Sequence, residues 1–202
     1  TTVNGCIYSL QVTVMVTAKP FTVTVSGPNA VCNGSSVSLT ASGANTYTWT
    51  GVGLNPTTGS TVNATPGVQT TYTVIGIDAN GCSSEQTKTI AVNNLPTVTT
   101  SPDTQICTGQ SANLSAGGNA LNYNWSPAGS LNPATGTNVT ASPNVSTTYT
   151  ITGTDANGCS SDTIVAVSIY PVPYITISPN VTICENSSVT LTAGGGISYL
   201  WQ

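Results

Sequence analysis

LNPTTGSTVNATPGVQTTYTVIGIDANGCSS, residues 54–84, returns as LNPATGTNVTASPNVSTTYTITGTDANGCSS at residues 131–161. A match of this length inside one chain is the mark of a repeat architecture. It extends outward in both directions. Upstream, VCNGSSVSLTASG (31–43) matches ICTGQSANLSAGG (106–118) and ICENSSVTLTAGG (183–195). YTW (47–49), YNW (123–125) and YLW (199–201) follow at the same offset, and Trp49, Trp125 and Trp201 are each 76 residues apart. At the other end of the repeat DANGCSS is preceded, earlier in the chain, by a shortened VNGC at 3–6.

The period divides the chain into residues 1–19, the final strand of a preceding repeat; 20–95 and 96–172, two complete repeats of about 76 residues; and 173–202, the first strands of a truncated third. The expectation is a slice of something longer. The joints carry proline: AKPF (18–21), NLPT (94–97) and YPVPY (170–174). Proline fixes φ and donates no ladder hydrogen bond, which suits a stiff linker or a sheet edge.

Within each repeat the apolar residues alternate with period two, the pattern of half-buried strands. In the first repeat Val37, Leu39, Ala41, Tyr47, Trp49, Val62, Ala64, Tyr72, Val74, Ile90 and Val92 fall on one phase; in the second, Leu114, Tyr123, Trp125, Val139, Tyr149, Ile151, Val167 and Ile169 do. Ser, Thr and Asn occupy the other. No ten-residue window shows helical spacing free of Gly, Pro or a β-branched run. About seven short strands in ~75 residues predict an all-β fold, a tandem array of antiparallel β-sandwiches of immunoglobulin type. Trp49, Trp125 and Trp201 are predicted core residues on the third strand, and Tyr72 and Tyr149 are predicted core residues in the position of a tyrosine corner. Val74 and Ile151 stand where an inter-sheet cysteine would be, so that disulfide is absent.

The six cysteines, Cys6, Cys32, Cys82, Cys107, Cys159 and Cys184, occur with no histidine and no C-x-x-C spacing. That combination points to disulfides and an oxidising compartment. Cys6, Cys82 and Cys159 directly follow Asn-Gly, a hairpin signal whose residues tolerate positive φ. Cys32, Cys107 and Cys184 sit at the turn into the second strand. On an immunoglobulin-type topology these turns lie at opposite ends of a sandwich, separated by about five or six strand residues, or ~18 Å, whereas bridged Cα atoms lie within ~7 Å. The leading pairing is therefore Cys32 with Cys159, a staple across a joint, with Cys82 and Cys107 reaching other repeats. The rival is a bridge inside each repeat, Cys32 with Cys82 and Cys107 with Cys159.

Composition narrows function further. Charged residues are 4% of the chain, with two lysines, no arginine, six acidic residues and a net charge of −4, against ~25% charged residues in an ordinary globular domain. Two isolated lysines, Lys19 and Lys88, give no basic surface for nucleic acid, and no apolar run approaches the ~20 residues of a membrane span. Without histidine or paired carboxylates there is no acid–base machinery, so no enzyme and no cofactor are expected. One carboxylate per turn, Asp78 or Asp155, is thin for calcium, which takes six to eight oxygens. The Gly-rich segments SAGGN and TAGGG follow a strand rather than open a helix, so they are hairpin bends rather than phosphate cradles. A surface this poor in charge offers little repulsion against lateral self-association.

The set ICTGQS, LNPATG, TTYTITGTDANGCSS resembles the tandem Ig-like and PKD-like repeats of giant secreted surface proteins of Bacteroidota, gliding adhesins among them. The resemblance implies secretion to the cell surface and a role as spacer, filament or adhesin, with neighbouring repeats of the same chain as partners. It also implies a candidate O-glycosylation acceptor, Thr163, in DTI (162–164). The expected function is a structural stretch of an extracellular stalk or filament; the alternative is an adhesive module that binds a glycan or a surface through loops such as 51–59 and 126–136.

Overall fold

The computed structural model describes residues 2–3, 6–7, 11–15 and 21–202, the first two pairs by backbone alone. The Cys6 side chain, Lys19 and most of the predicted 1–19 segment lie outside the described residues. Two short strands there, β1 (Thr2–Val3) and β2 (Cys6–Ile7), pair antiparallel. The chain divides into two compact units, Thr1–Asn94 and Leu95–Gln202.

The first unit contains β3 (Thr24–Ser26), β4 (Ala30–Cys32), β5 (Val37–Ser42), β6 (Thr46–Thr50), β7 (Leu54–Asn55), β8 (Thr61–Ala64), β9 (Thr70–Ile77) and β10 (Ser83–Asn93). They form two sheets, β3-β5-β8-β7 and β4-β10-β9-β6. Every pairing is antiparallel except β4 with β10. This is the immunoglobulin-type arrangement, with one strand more than the seven expected because the first strand is split. β3 joins one sheet and β4 the other, and Pro28 stands between them. Lacking an N–H, proline suits the step where a strand leaves one ladder for another.

The alternation read from the sequence is the alternation of burial. β5 runs buried-exposed throughout, as does β6. Val23, Leu39, Trp49, Val62, Ala64, Tyr72, Val74 and Ile90 are at most 1% exposed and pack as one core. Leu39 and Val74 are both fully buried in this core, and burying a side chain of that size stabilises by roughly 1.5–3 kcal/mol. Val92 is only half-buried, and the sequence reading did not find Val23. Lys88 stands opposite Tyr72 on β10, at the position Val165 holds opposite Tyr149 in the second unit. Its ammonium reaches the edge of the sandwich and donates to Asn29 Oδ1 at 2.5 Å, which is how a long cationic chain occupies an inward phase.

The second unit repeats this plan. β11 (Val98–Thr100), β12 (Thr104–Cys107), β13 (Ala112–Gly118), β14 (Asn122–Ser126), β15 (Leu131–Asn132), β16 (Asn138–Ala141), β17 (Thr147–Thr154) and β18 (Ser160–Tyr170) form the sheets β11-β13-β16-β15 and β12-β18-β17-β14. Pro102 marks the same sheet switch, β12 again runs parallel to β18, and Leu114, Trp125, Tyr149, Ile151, Val165 and Val167 lie in the core. Ile169 is half-buried.

Trp201 departs from the expectation. It is 54% exposed, whereas Trp49 and Trp125 are 1% and 3% exposed. In the two sandwiches the tryptophan strand pairs with the following strand, Trp49 with Val74 and Trp125 with Ile151, whereas Trp201 lies in no strand among the described residues. The local part of the repeat is nevertheless present. β19 (Thr176–Ile177) pairs with β20 (Ala193–Gly194) as β11 pairs with β13, and the Tyr199 hydroxyl accepts from Gly196 N–H and donates to its carbonyl, as Tyr47 does with Ala44.

Candidate functional site

Two kinds of turn carry the cysteines. In DANGC the aspartate shapes the loop. Asp78 Oδ1 accepts the N–H groups of Asn80 and Cys82 at 2.9 and 2.8 Å, and Asp155 Oδ1 accepts those of Asn157 and Cys159 at 2.8 and 2.9 Å. The loop closes through the backbone as well: Asp78 N–H donates to the Cys82 carbonyl and Asp155 N–H to the Cys159 carbonyl, at 3.0 and 2.9 Å. Asn and Asp favour such turns because their side chains reproduce backbone acceptors. The glycine before each cysteine, Gly81 or Gly158, takes φ near +80°, a region open to glycine at little cost. Each aspartate thus fixes the backbone of the cysteine four residues on.

The second kind of turn is built without a carboxylate. Ser35 N–H donates to the Cys32 carbonyl, Gln110 N–H to that of Cys107 and Ser187 N–H to that of Cys184, at 3.0, 3.0 and 3.1 Å. The third residue of each turn has positive φ: Gly34 +81°, Gly109 +83° and Asn186 +65°. Asparagine is among the few side-chain-bearing residues that take this conformation readily.

The strand register sets how far apart the two turns are within a unit. Cys32 pairs with Asn93 at the last residue of β10, while Cys82 precedes Ser83, its first. The eleven residues of β10 span ~35 Å at ~3.3 Å per residue. β18 repeats the relation, with Cys107 opposite Tyr170 and Cys159 just before Ser160. The separation is about twice that expected from the sequence, because the last strand runs the full length of the sandwich. Bridges Cys32–Cys82 and Cys107–Cys159 cannot close over it. Cys32 and Cys159 are each disulfide-bonded, whereas Cys82, Cys107 and Cys184 are thiols, the last two exposed.

The loops that an adhesive role would use are tied inward. Trp49 Nε1 donates to the Gly59 carbonyl and Trp125 Nε1 to the Gly136 carbonyl, both at 2.9 Å. The Tyr72 phenol donates to the Val52 carbonyl at 3.0 Å, and the Tyr149 hydroxyl shares a 2.6 Å bond with Ser130 Oγ. The tyrosine position therefore does not make the expected corner with backbone a few residues upstream; it clamps the loop after the tryptophan strand. Burial pushes the Tyr72 phenol above its ordinary pKa, and the Thr70 hydroxyl draws it partly back. Sequence reading missed the acceptors Val52, Gly59 and Gly136, since a backbone carbonyl leaves no trace in residue identity. A better signal existed for Asp103, an acid just before a strand, whose Oδ1 accepts Ala166 N–H at 2.8 Å.

Thr163 lies on β18 opposite Ile151, half-buried and in phase with Val165 and Val167. Among the described residues no three His, Cys, Asp or Glu gather to hold a metal ion, and no helix is long and apolar enough to cross a membrane. A surface groove on the second unit, lined in part by Asn122, Asn124, Thr135 and Thr137, contains no ionisable side chain apart from Tyr123.

Residues 94–173 match the family model of the Ig-like domain, CHU_C associated. The fold is Ig-like, and the first unit repeats the second strand for strand. No curated protein matches the chain. Among solved structures, the insect immune protein hemolin is 13% identical with a TM-score of 0.38, over 73% of this chain and 46% of hemolin. A 1.5-MDa bacterial ice-binding adhesin is 16% identical with a TM-score of 0.38, over 74% of this chain and 65% of that one. The tandem Ig repeats of Dlar are 10% identical with a TM-score of 0.32, over 75% of this chain and 100% of that one. The chain spans about half the length of the hemolin structure.

Proposed function

We propose that this chain is a structural stretch of an extracellular stalk or filament, in which sandwich units of ~76 residues are joined through proline-bearing linkers and stapled by a Cys32–Cys159 disulfide. One observation carries the reading: Cys32 and Cys159 are both disulfide-bonded while Cys82 and Cys107, which the within-unit pairing would require, are thiols. The Ig-like fold, the hydroxyl-rich and charge-poor surface and the inward-tied loops support it. Oxidised cysteines belong to a secreted or cell-surface protein.

The mechanical consequence is calculable. A Cys32–Cys159 bridge takes 127 residues out of the load path, or roughly 420–460 Å of contour at ~3.3–3.6 Å per residue. Pulled from its ends under oxidising conditions, the chain lengthens only through the segments outside the loop, and reduction restores the missing length. Single-molecule extension with and without reductant, alongside a mass-spectrometric disulfide map, tests this. A map joining Cys32 to Cys82, or an extension that reductant leaves unchanged, overturns it.

Neighbouring units of the same chain are the first partners. Lateral association of chains is a second contact that the low charge permits. The outer hydroxyls, however, already pair with one another, Thr24 with Ser42 and Thr71 with Thr89 at 2.8 and 2.9 Å. The adhesive alternative places a glycan or surface ligand at loops 51–59 and 126–136, and glycan-array binding lost on changing those loops would establish it over a spacer.

A further inference from the structure

We infer that Cys82, Cys107 and Cys184 are open halves of further staples and that they pair by turn type: a cysteine of the Asn-Gly-Cys turn joins one of the strand-entry turn, never its own kind. The inference rests on the Cys32–Cys159 reading and extends it to the thiols that reading leaves over.

The turns of each type are structurally equivalent. The Cys82 loop is the Cys159 loop rebuilt: the aspartate accepts the cysteine N–H at 2.8 Å in one and 2.9 Å in the other, and the preceding glycine has φ of +80° and +79°. The Cys107 and Cys184 turns are the Cys32 turn rebuilt, closed by the same backbone bond and carrying the same left-handed residue. Each type has one member that is already bonded, Cys159 in the first and Cys32 in the second. The backbone that presents a cysteine for bonding is therefore in place at every thiol. What the thiols lack is a complementary turn. Within a unit it stands a full strand length away, across β10 or β18.

The pairing also has a direction. Cys32, in the entry turn of one unit, is earlier in the chain than Cys159, in the Asn-Gly-Cys turn of the next. By the same rule Cys82 takes an entry-turn cysteine of a unit before it, and Cys107 and Cys184 each take an Asn-Gly-Cys cysteine of a unit after. The partner in every case is another Ig-like unit of this kind. Like-with-like pairing would join two identical ends and reverse the array.

The chemistry needs an oxidant, and a small-molecule disulfide such as oxidised glutathione suffices. The Cys107 thiolate attacks it, forming a mixed disulfide and releasing one glutathione thiolate. The partner thiolate then attacks the Cys107 sulfur of that mixed disulfide and expels the second glutathione. Two protein thiols are oxidised, one glutathione disulfide is reduced to two thiols, and the two protons the protein thiols give up are taken up, through solvent, by the two glutathione thiolates.

The test uses the full 202-residue chain, refolded in a buffer of reduced and oxidised glutathione, with intermolecular bridges mapped by mass spectrometry. The expected products link Cys6 or Cys82 of one molecule to Cys107 or Cys184 of another. A Cys6→Ser/Cys82→Ser variant leaves only entry-turn thiols unpaired and stays monomeric on a non-reducing gel, as does Cys107→Ser/Cys184→Ser, which leaves only the other type. A second arm joins residues 20–172 to a further copy of 20–172, each unit having its own core. The new joint then forms a Cys107–Cys82 bridge between the first copy and the second. Like-type links at the frequency of mixed ones, oligomers of either double variant, or a thiol pair left open at the new joint overturns the inference. The Cys32–Cys159 bridge is scored in the same maps: its presence with random intermolecular pairing sinks only the type rule, and its absence sinks the stapled array itself.

Discussion

Cys32 stands in register with Asn93, and the next residue, Asn33, donates its N–H to the Asn93 carbonyl at 2.8 Å. That single pairing places the cysteine at the far end of β10 from Cys82. A bridge from Cys32 to Cys82 cannot span that distance, and the partner proposed for Cys32 is Cys159. The thermodynamic signature follows. Cys32→Ser and Cys159→Ser should each lower stability by a similar amount, up to about 5 kcal/mol on the loop-entropy model, and the double variant should lose no more than either single one. Denaturation of the three variants and the parent chain measures this; additive losses would show that the two sulfurs are not bonded to each other.

The aspartate brace should matter on its own. Asp155→Ala removes the acceptor for Asn157 and Cys159 N–H and should cost about 1.5–3 kcal/mol, the range for hydrogen bonds to a charged group, while Asp155→Asn retains an acceptor and should lose less. Urea denaturation gives both values, and hydrogen exchange at Cys159 N–H should rise in the alanine variant.

The tryptophans separate by context. Trp49→Ala and Trp125→Ala should cost about 3–5 kcal/mol, as for a large aromatic removed from a packed core. Trp201→Ala should fall within about 0.5 kcal/mol of the parent, because its ring is half in solvent. Equal losses at all three positions would mean that the third tryptophan has a core not seen among these residues.

Tyr72 gives a pH dependence with a definite sign. Its phenol titrates above the ordinary 10.0 in the folded chain because burial disfavours the phenolate. The unfolded chain therefore releases its proton first as pH rises, and stability from this group, present below pH ~10, is lost as pH climbs towards the folded value. Tyr72→Phe should flatten the alkaline limb of a stability–pH curve. It should also cost about 0.5–1.5 kcal/mol at neutral pH, through the lost bond to Val52.

Gly118 should resist replacement. Its φ is +119°, and an added Cβ would lie 2.0 Å from the Thr97 carbonyl oxygen. Gly118→Ala should therefore destabilise the second unit by more than the ~1 kcal/mol expected from an unfavourable φ alone. A thermal scan checks this against Gly158→Ala, where φ is similarly positive but the space is open.

The sequence by itself determined the strands, their inward phase and the repeat, because a half-buried strand writes its burial into every second residue. Leu39, Trp49, Tyr72 and Val74 were legible for that reason. So were the Asp-Ala-Asn-Gly turns, whose residues are chosen by local backbone conformation. The tertiary structure alone decided what depends on distance between remote segments. Register and strand length set the ~35 Å between Cys32 and Cys82, and the path of the loop after Trp49 set the partner of the Tyr72 phenol. It also separated Trp201, which is half exposed and in no strand, from Trp49 and Trp125, whose strands pair with β9 and β17.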